Sequence, residues 1–86
     1  MSNLAITNVE RAVPHGIPDA NRLFQLGMML STGQAPDLVS AHKWFNIAAM
    51  RGNADAVRLR REIASEMSEA EIAAAQRAAR DWLTRH

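Results

Sequence analysis

The stretch "KWFNIAAMRGNADA", residues 43–56, indicates most directly how the chain folds. Two aromatic residues stand side by side, two alanines follow within one helical turn, and a Gly-Asn pair precedes two further alanines. Small residues let a neighbouring helix approach closely enough to cover large ones, so the stretch predicts closely packed helices. Gly52 is predicted to end one helix in the left-handed conformation, and Asn53 to cap the next.

Capping residues on either side of this stretch divide residues 19–86 into four helices. Asp19 and Asp37 each precede apolar residues at helical spacing, and Ser68 forms a capping box with Glu71 three residues later. Short connections predict antiparallel neighbours. The predicted fold is all-α, with antiparallel helix pairs arranged as a short α-α superhelix.

Apolar residues predict where these helices end and how they pack. The first helix is predicted to end near Ser31, and the third to carry apolar residues as far as Met67. Gly27 lies in a helix interior, where glycine costs about 1 kcal/mol relative to alanine. We expect the ring of Trp44 or Phe45 to pack over its bare backbone.

Residues 1–18 differ from the rest of the chain and are predicted to form an N-terminal arm or linker. They contain Pro14 and Pro18 and few good helix formers. The arm also contains apolar residues that could cover the first helix or support self-association: Leu4, Ile6, Val9 and Val13.

The helical region contains an internal repeat. Residues near its start recur after 36 positions, and residues near its middle recur after 38. The recurring residues are Ala20, Leu23, Ala41, Trp44 and Phe45 in the first half and Ala56, Leu59, Ala79, Trp82 and Leu83 in the second. A period of this size is typical of helical solenoids. It divides the region into a first repeat at 19–52 and a partial second repeat with a capping helix at 53–86.

In these residues the chain resembles the Sel-one-like repeat, a relative of the tetratricopeptide repeat. The resemblance rests on "ANRLFQLGMMLSTG" and "DLVSAHKWFNIAAMRGNADAVRL". The family pattern falls on Ala20, Leu26-Gly27, Gly33, Ala41, Trp44-Phe45, Ala48-Ala49 and Gly52. Ser40 and Leu30 depart from it, since the family usually has a lysine and often an aromatic residue there.

The resemblance is strong over residues 20–59 and looser over 60–86. The final stretch "SEAEIAAAQRAARDWL" looks like the C-terminal capping helix of bacterial members. Members of the family act as adaptors that hold partner proteins on a concave helical surface, and the repeat itself is not catalytic. The resemblance therefore implies a protein-interaction module.

Composition narrows the functional classes further. The chain has 86 residues, a net charge of +1 and no cysteine. This length allows one small domain, and the charge gives no general attraction to nucleic acid or anionic lipid. Without cysteine there is no disulfide or thiolate site, which fits a reducing compartment. No apolar run approaches the ~20 residues of a spanning helix, and no secretory signal is recognisable. We expect a cytoplasmic protein without membrane contact.

No catalytic, metal or cofactor site is predicted, and an enzyme is the least favoured class. His15, His42 and His86 are not spaced as metal ligands. No nucleophile stands in a recognisable motif. His42 is interpreted as a solvated helix residue, with a surface contact beside the aromatic pair as the alternative.

Four arginines within eleven residues form the most distinctive polar signal: Arg51, Arg58, Arg60 and Arg61. Such a cluster could bind an acidic peptide or a phosphate backbone. The alternative is a solvated helix face on which Arg58 pairs with Glu62 at i,i+4. A nucleic-acid-binding regulator that uses this cluster is therefore the second functional hypothesis.

The preferred hypothesis is a module that binds a partner protein or a second copy of itself. Fewer than two full repeats leave apolar surface that another polypeptide could cover. Flexible methionines at the surface suit adaptable binding. The candidate partner-binding residues are Met29, His42, Met50, Arg51, Arg58 and Arg61.

Overall fold

The computed structural model describes residues 19–85, which form four α-helices and no strand. They are α1 (Ala20–Ser31), α2 (Leu38–Met50), α3 (Ala54–Ala64) and α4 (Glu69–Arg85). The predicted all-α class with four helices is confirmed. The arm residues Leu4, Ile6, Val9 and Val13 lie outside the described residues, as do His15 and His86.

The first two helices begin at the predicted aspartates. The Asp19 carboxylate accepts a hydrogen bond from the Arg22 backbone N–H at 2.9 Å, and that of Asp37 accepts one from the Ser40 N–H at 3.0 Å. Each bond satisfies an N–H that has no partner within its own helix. The Ser40 backbone N–H, with a contribution from its hydroxyl, holds the pKa of Asp37 below its ordinary value of 3.8.

The turn between α2 and α3 has the predicted conformation. Gly52 has a φ of +104°, in the left-handed region that favours glycine. Asn53 then accepts a hydrogen bond from the Ala56 N–H at 3.0 Å and so caps α3. Its side-chain amide also donates to the Asn21 side chain at 3.2 Å, which joins this turn to the first turn of α1.

The third helix ends before Met67, and therefore earlier than predicted. The Ser65 hydroxyl donates to the Glu62 carbonyl at 2.7 Å at the end of α3. The capping box then begins α4, with the Ser68 N–H donating to the Glu71 carboxylate at 2.8 Å and the Glu71 N–H to the Ser68 hydroxyl at 3.1 Å. Met67 lies in the connection, where its side chain still packs against the core.

Helix α2 is the centre of the core, because it packs against each of the other three helices. From Leu38 to Ala49 none of its residues is exposed. Five of them are buried: Ala41, His42, Phe45, Ile47 and Ala48. A helix with neighbours on several sides needs an apolar surface around most of its circumference, and α2 has one.

Helices α1 and α2 pack closely because Gly27 has no side chain. A Cβ built at Gly27 would lie 2.6 Å from Cδ1 and Cε1 of Phe45, so the ring occupies the space of the missing side chain. Phe24 adds a tilted ring contact with Phe45, with the centroids 5.6 Å apart. The predicted cover over Gly27 is therefore confirmed, and Phe45 rather than Trp44 provides it.

The second consecutive pair, α3 and α4, is packed less closely. Within residues 19–85, α3–α4 is not among the helix pairs in close backbone contact. At the corresponding offsets in the sequence, Ile63 stands 36 residues after Gly27, and Leu83 stands 38 residues after Phe45. A branched side chain allows a less close approach of a neighbouring helix than glycine does. Within the described part of the chain, no helix is both long and apolar enough to cross a membrane.

Candidate interaction surface

Helices α2 and α4 meet through their tryptophans. The rings of Trp44 and Trp82 lie edge to face, with centroids 5.5 Å apart and planes at 80°. This arrangement places the positive edge of one ring against the negative face of the other. Both side chains are half-buried rather than enclosed in the core.

A cation accompanies each of these rings. Lys43 Nζ lies 4.1 Å from the centroid of the Trp44 ring, and the Arg51 guanidinium carbon lies 5.5 Å from that of Trp82. Such contacts contribute about 0.5–1 kcal/mol at exposed sites. Among residues 19–85, no carboxylate forms an ion pair with either cation. We call Lys43, Trp44, Arg51 and Trp82 the tryptophan–cation surface.

The two rings are expected to be energetically coupled. Trp44→Ala and Trp82→Ala should each destabilise the chain, and the double variant should lose less than the sum of the two by about 0.5–1.5 kcal/mol. Urea unfolding followed by far-UV circular dichroism measures all three variants. Combining Trp82→Ala with Phe24→Ala on α1 is the control, and it should be additive. Additive losses in the tryptophan pair would contradict the ring contact.

The two candidate methionines are at the surface. Met29 is 72% exposed on α1, and Met50 is 63% exposed at the end of α2. Each places a flexible apolar side chain where a partner could reach it. Met50 directly precedes Arg51, so it adjoins the tryptophan–cation surface along the chain.

The arginine on the outer face of α3 is paired with acids of its own helix. Arg58 contacts Glu62 at 3.2 Å and Asp55 at 3.7 Å, and all three side chains are largely exposed. The interpretation of Arg58 and Glu62 as a solvated i,i+4 pair is confirmed. Such pairs contribute little to stability, and they lower the charge available to an anionic partner.

Two of the remaining arginines, Arg51 and Arg60, contact other helices rather than the outer face of α3. Arg51 lies over Trp82, and Arg60 donates a 2.6 Å hydrogen bond to the Asn46 side chain on α2. Arg61 is exposed on α3. The four arginines, which stand within eleven residues of the sequence, are therefore divided among three environments. These are the Trp82 ring on α4, the Asn46 side chain on α2 and the exposed face of α3.

The interpretation of His42 as a solvated or surface-contact residue is wrong. The side chain is only 3% exposed, because it lies on the enclosed helix α2. Its Nδ1 has no hydrogen-bond partner among residues 19–85. Burial, and to a lesser extent the positive charge of Arg60, lower the pKa of His42 below its ordinary value of 6.5. The buried ring cannot contact a partner in this conformation.

The His42 environment predicts a pH-dependent stability. A depressed pKa means that the unfolded chain binds a proton before the folded chain does. The free energy of unfolding should thus be highest above pH 6.5 and fall as the pH drops toward the lower folded-state pKa. Urea unfolding at several pH values between 7.5 and 5 measures this decline.

His42→Leu is the matched variant for this test. It should remove part of the pH dependence and leave stability at pH 7.5 equal or higher, because a buried polar atom without a partner is replaced by an apolar group. His15 and His86 are present in both proteins, so the difference between the two curves isolates His42. If the stability of the parent and of His42→Leu falls in parallel as the pH drops, protonation of His42 does not contribute to the pH dependence, and the prediction is wrong.

Sequence reasoning missed Lys43 and the tryptophans as surface residues. The available signal was spacing: Trp44 and Arg51 stand seven residues apart, which places them on one side of a helix. Within residues 19–85, no group of His, Asp and Glu residues is placed to hold a metal ion. The only assembled cluster of aromatic and charged side chains in that part of the chain is the tryptophan–cation surface.

Comparison with models of protein families finds no match to this chain. Comparison with curated proteins and with solved structures likewise finds no significant similarity.

Proposed function

We propose that the chain is a non-catalytic protein–protein interaction module, a small helical-repeat adaptor or regulator that works in the cytoplasm. The observation that carries the proposal is the tryptophan–cation surface. Tryptophan and arginine are enriched among the residues that dominate binding energy at protein interfaces. Here two half-buried tryptophans on α2 and α4 lie beside two cations, Lys43 on α2 and Arg51 directly after it.

The repeat pattern supports the same proposal. Ala41 on α2 and Ala79 on α4 are both buried, and each precedes one of the paired tryptophans by three residues. This equivalence fits a short solenoid of the Sel-one-like type. A solenoid with so few units has terminal surfaces on which a further polypeptide could stack.

Affinity capture with the full chain tests the proposal. The parent should retain one protein partner from an extract of the source cell, identified by mass spectrometry. Lys43→Glu combined with Arg51→Glu should lose it. The control variant, Arg58→Glu combined with Arg61→Glu on α3, changes the net charge by the same amount and should retain the partner. Failure of the parent to retain any protein would remove the proposal.

Two other functions have distinct outcomes in the same set of variants. A nucleic-acid-binding regulator would bind DNA or RNA in a salt-dependent way and lose that binding in the α3 variant. The pairing of Arg58 with two carboxylates does not favour this function. Self-association would appear as a mass that rises with concentration in light scattering, and a constant monomer mass would exclude it.

A further inference from the structure

We propose that the tryptophan–cation surface binds an acidic polypeptide segment in extended conformation, with two carboxylates four residues apart. The inference rests on the proposed function and names the chemistry of the partner that the surface selects.

Charge is the first argument. Arg58 on α3 already has two carboxylates beside it, whereas Lys43 and Arg51 have none among residues 19–85. A guanidinium carries five N–H donors and an ammonium three, and a contact with a ring face leaves the donors that point away from the ring for a carboxylate. Both cations thus contact a ring and retain donors for an anionic group.

Spacing is the second argument. Lys43 lies in α2, and Arg51 directly follows this helix eight residues later, which corresponds to a backbone rise of about 12 Å. In an extended segment, residues i and i+4 are about 13 Å apart and point to the same side. Two carboxylates at these positions can each meet one cation. The residue at i+2 also points to that side, so an apolar side chain there would lie against the tryptophans.

Tryptophan fluorescence provides the measurement, because the two tryptophans of this surface are the only ones in the chain and tyrosine is absent. The probes are short peptides with Glu at i and i+4 and Leu at i+2, together with counterparts carrying Gln or Lys instead of Glu. The Glu peptide should change the emission saturably and bind more weakly as salt is raised. The Gln and Lys peptides should bind at least about tenfold more weakly.

Charge reversal makes the test specific. Lys43→Glu combined with Arg51→Glu should reverse the preference, so that the Lys peptide binds more tightly than the Glu peptide. Arg58→Glu combined with Arg61→Glu has the same net charge and should change the affinity by no more than about twofold. Far-UV circular dichroism checks that both variants are folded.

Several results would overturn the inference. One is an equal loss of affinity for the Glu peptide in the two charge-reversal variants. Another is equal binding of the Glu and Gln peptides by the parent. A third is tighter binding of a single-stranded oligothymidine than of the Glu peptide. If the Glu peptide does not bind but a protein partner is captured through this surface, the inference fails and the adaptor function stands. If the Glu peptide binds but no cellular protein is captured, the chemistry of the surface is established and the adaptor function fails.

Discussion

Phe45→Ala is expected to lower the free energy of unfolding by about 3–5 kcal/mol. The ring is fully buried and lies over Gly27, which has no side chain that could move into the space. The cavity would therefore open between α1 and α2, where the two backbones are closest. A domain of this size has a total stability of only several kcal/mol, so the variant should be largely unfolded at moderate temperature.

Thermal and urea unfolding, followed by far-UV circular dichroism, would show this loss. Met50→Ala is the control, because it also removes a large apolar side chain, but one that is 63% exposed. It should change stability by less than about 0.5 kcal/mol. If Phe45→Ala unfolds at the same urea concentration as the parent, the packing of α1 on α2 is incorrect.

Gly27→Ala is expected to destabilise the chain by about 2–3 kcal/mol, although alanine is the better helix former by about 1 kcal/mol. The added Cβ would lie 2.6 Å from two carbons of the Phe45 ring. A buried aromatic ring is rigid and has no empty space to enter, so α1 would have to shift away from α2. Urea unfolding measures the cost.

The sign of this effect should depend on residue 45. In a Phe45→Leu background the smaller side chain leaves room at Gly27, and Gly27→Ala should become neutral or stabilising by up to about 1 kcal/mol. An equal cost of Gly27→Ala in both backgrounds would show that the ring is not its cause.

The helix starts could be predicted from the sequence because capping is local. Asp19, Asp37, Asn53 and Ser68 each accept a hydrogen bond from a backbone N–H three residues later. The information for these bonds is contained in a few neighbouring residues. For the same reason Gly52 could be assigned its left-handed conformation.

The properties that depend on several helices could not be predicted in this way. His42 looks like a surface residue when α2 is considered alone, and its burial follows from the contacts of α2 with three neighbours. The division of the arginines has a similar origin, since Arg51 contacts α4 and Arg60 contacts α2. Non-local packing also brings Trp44 and Trp82 to one surface, although they stand 38 residues apart.

The central position of α2 has a consequence for local opening of the fold. Since α3 and α4 each contact α2 more closely than they contact each other, detaching either one leaves the other in place. The amide protons in the middle of α2 then exchange with solvent only when the whole domain unfolds, and those of the outer helices exchange through smaller fluctuations. Hydrogen exchange would thus report a hierarchy of protection with the second helix at its top.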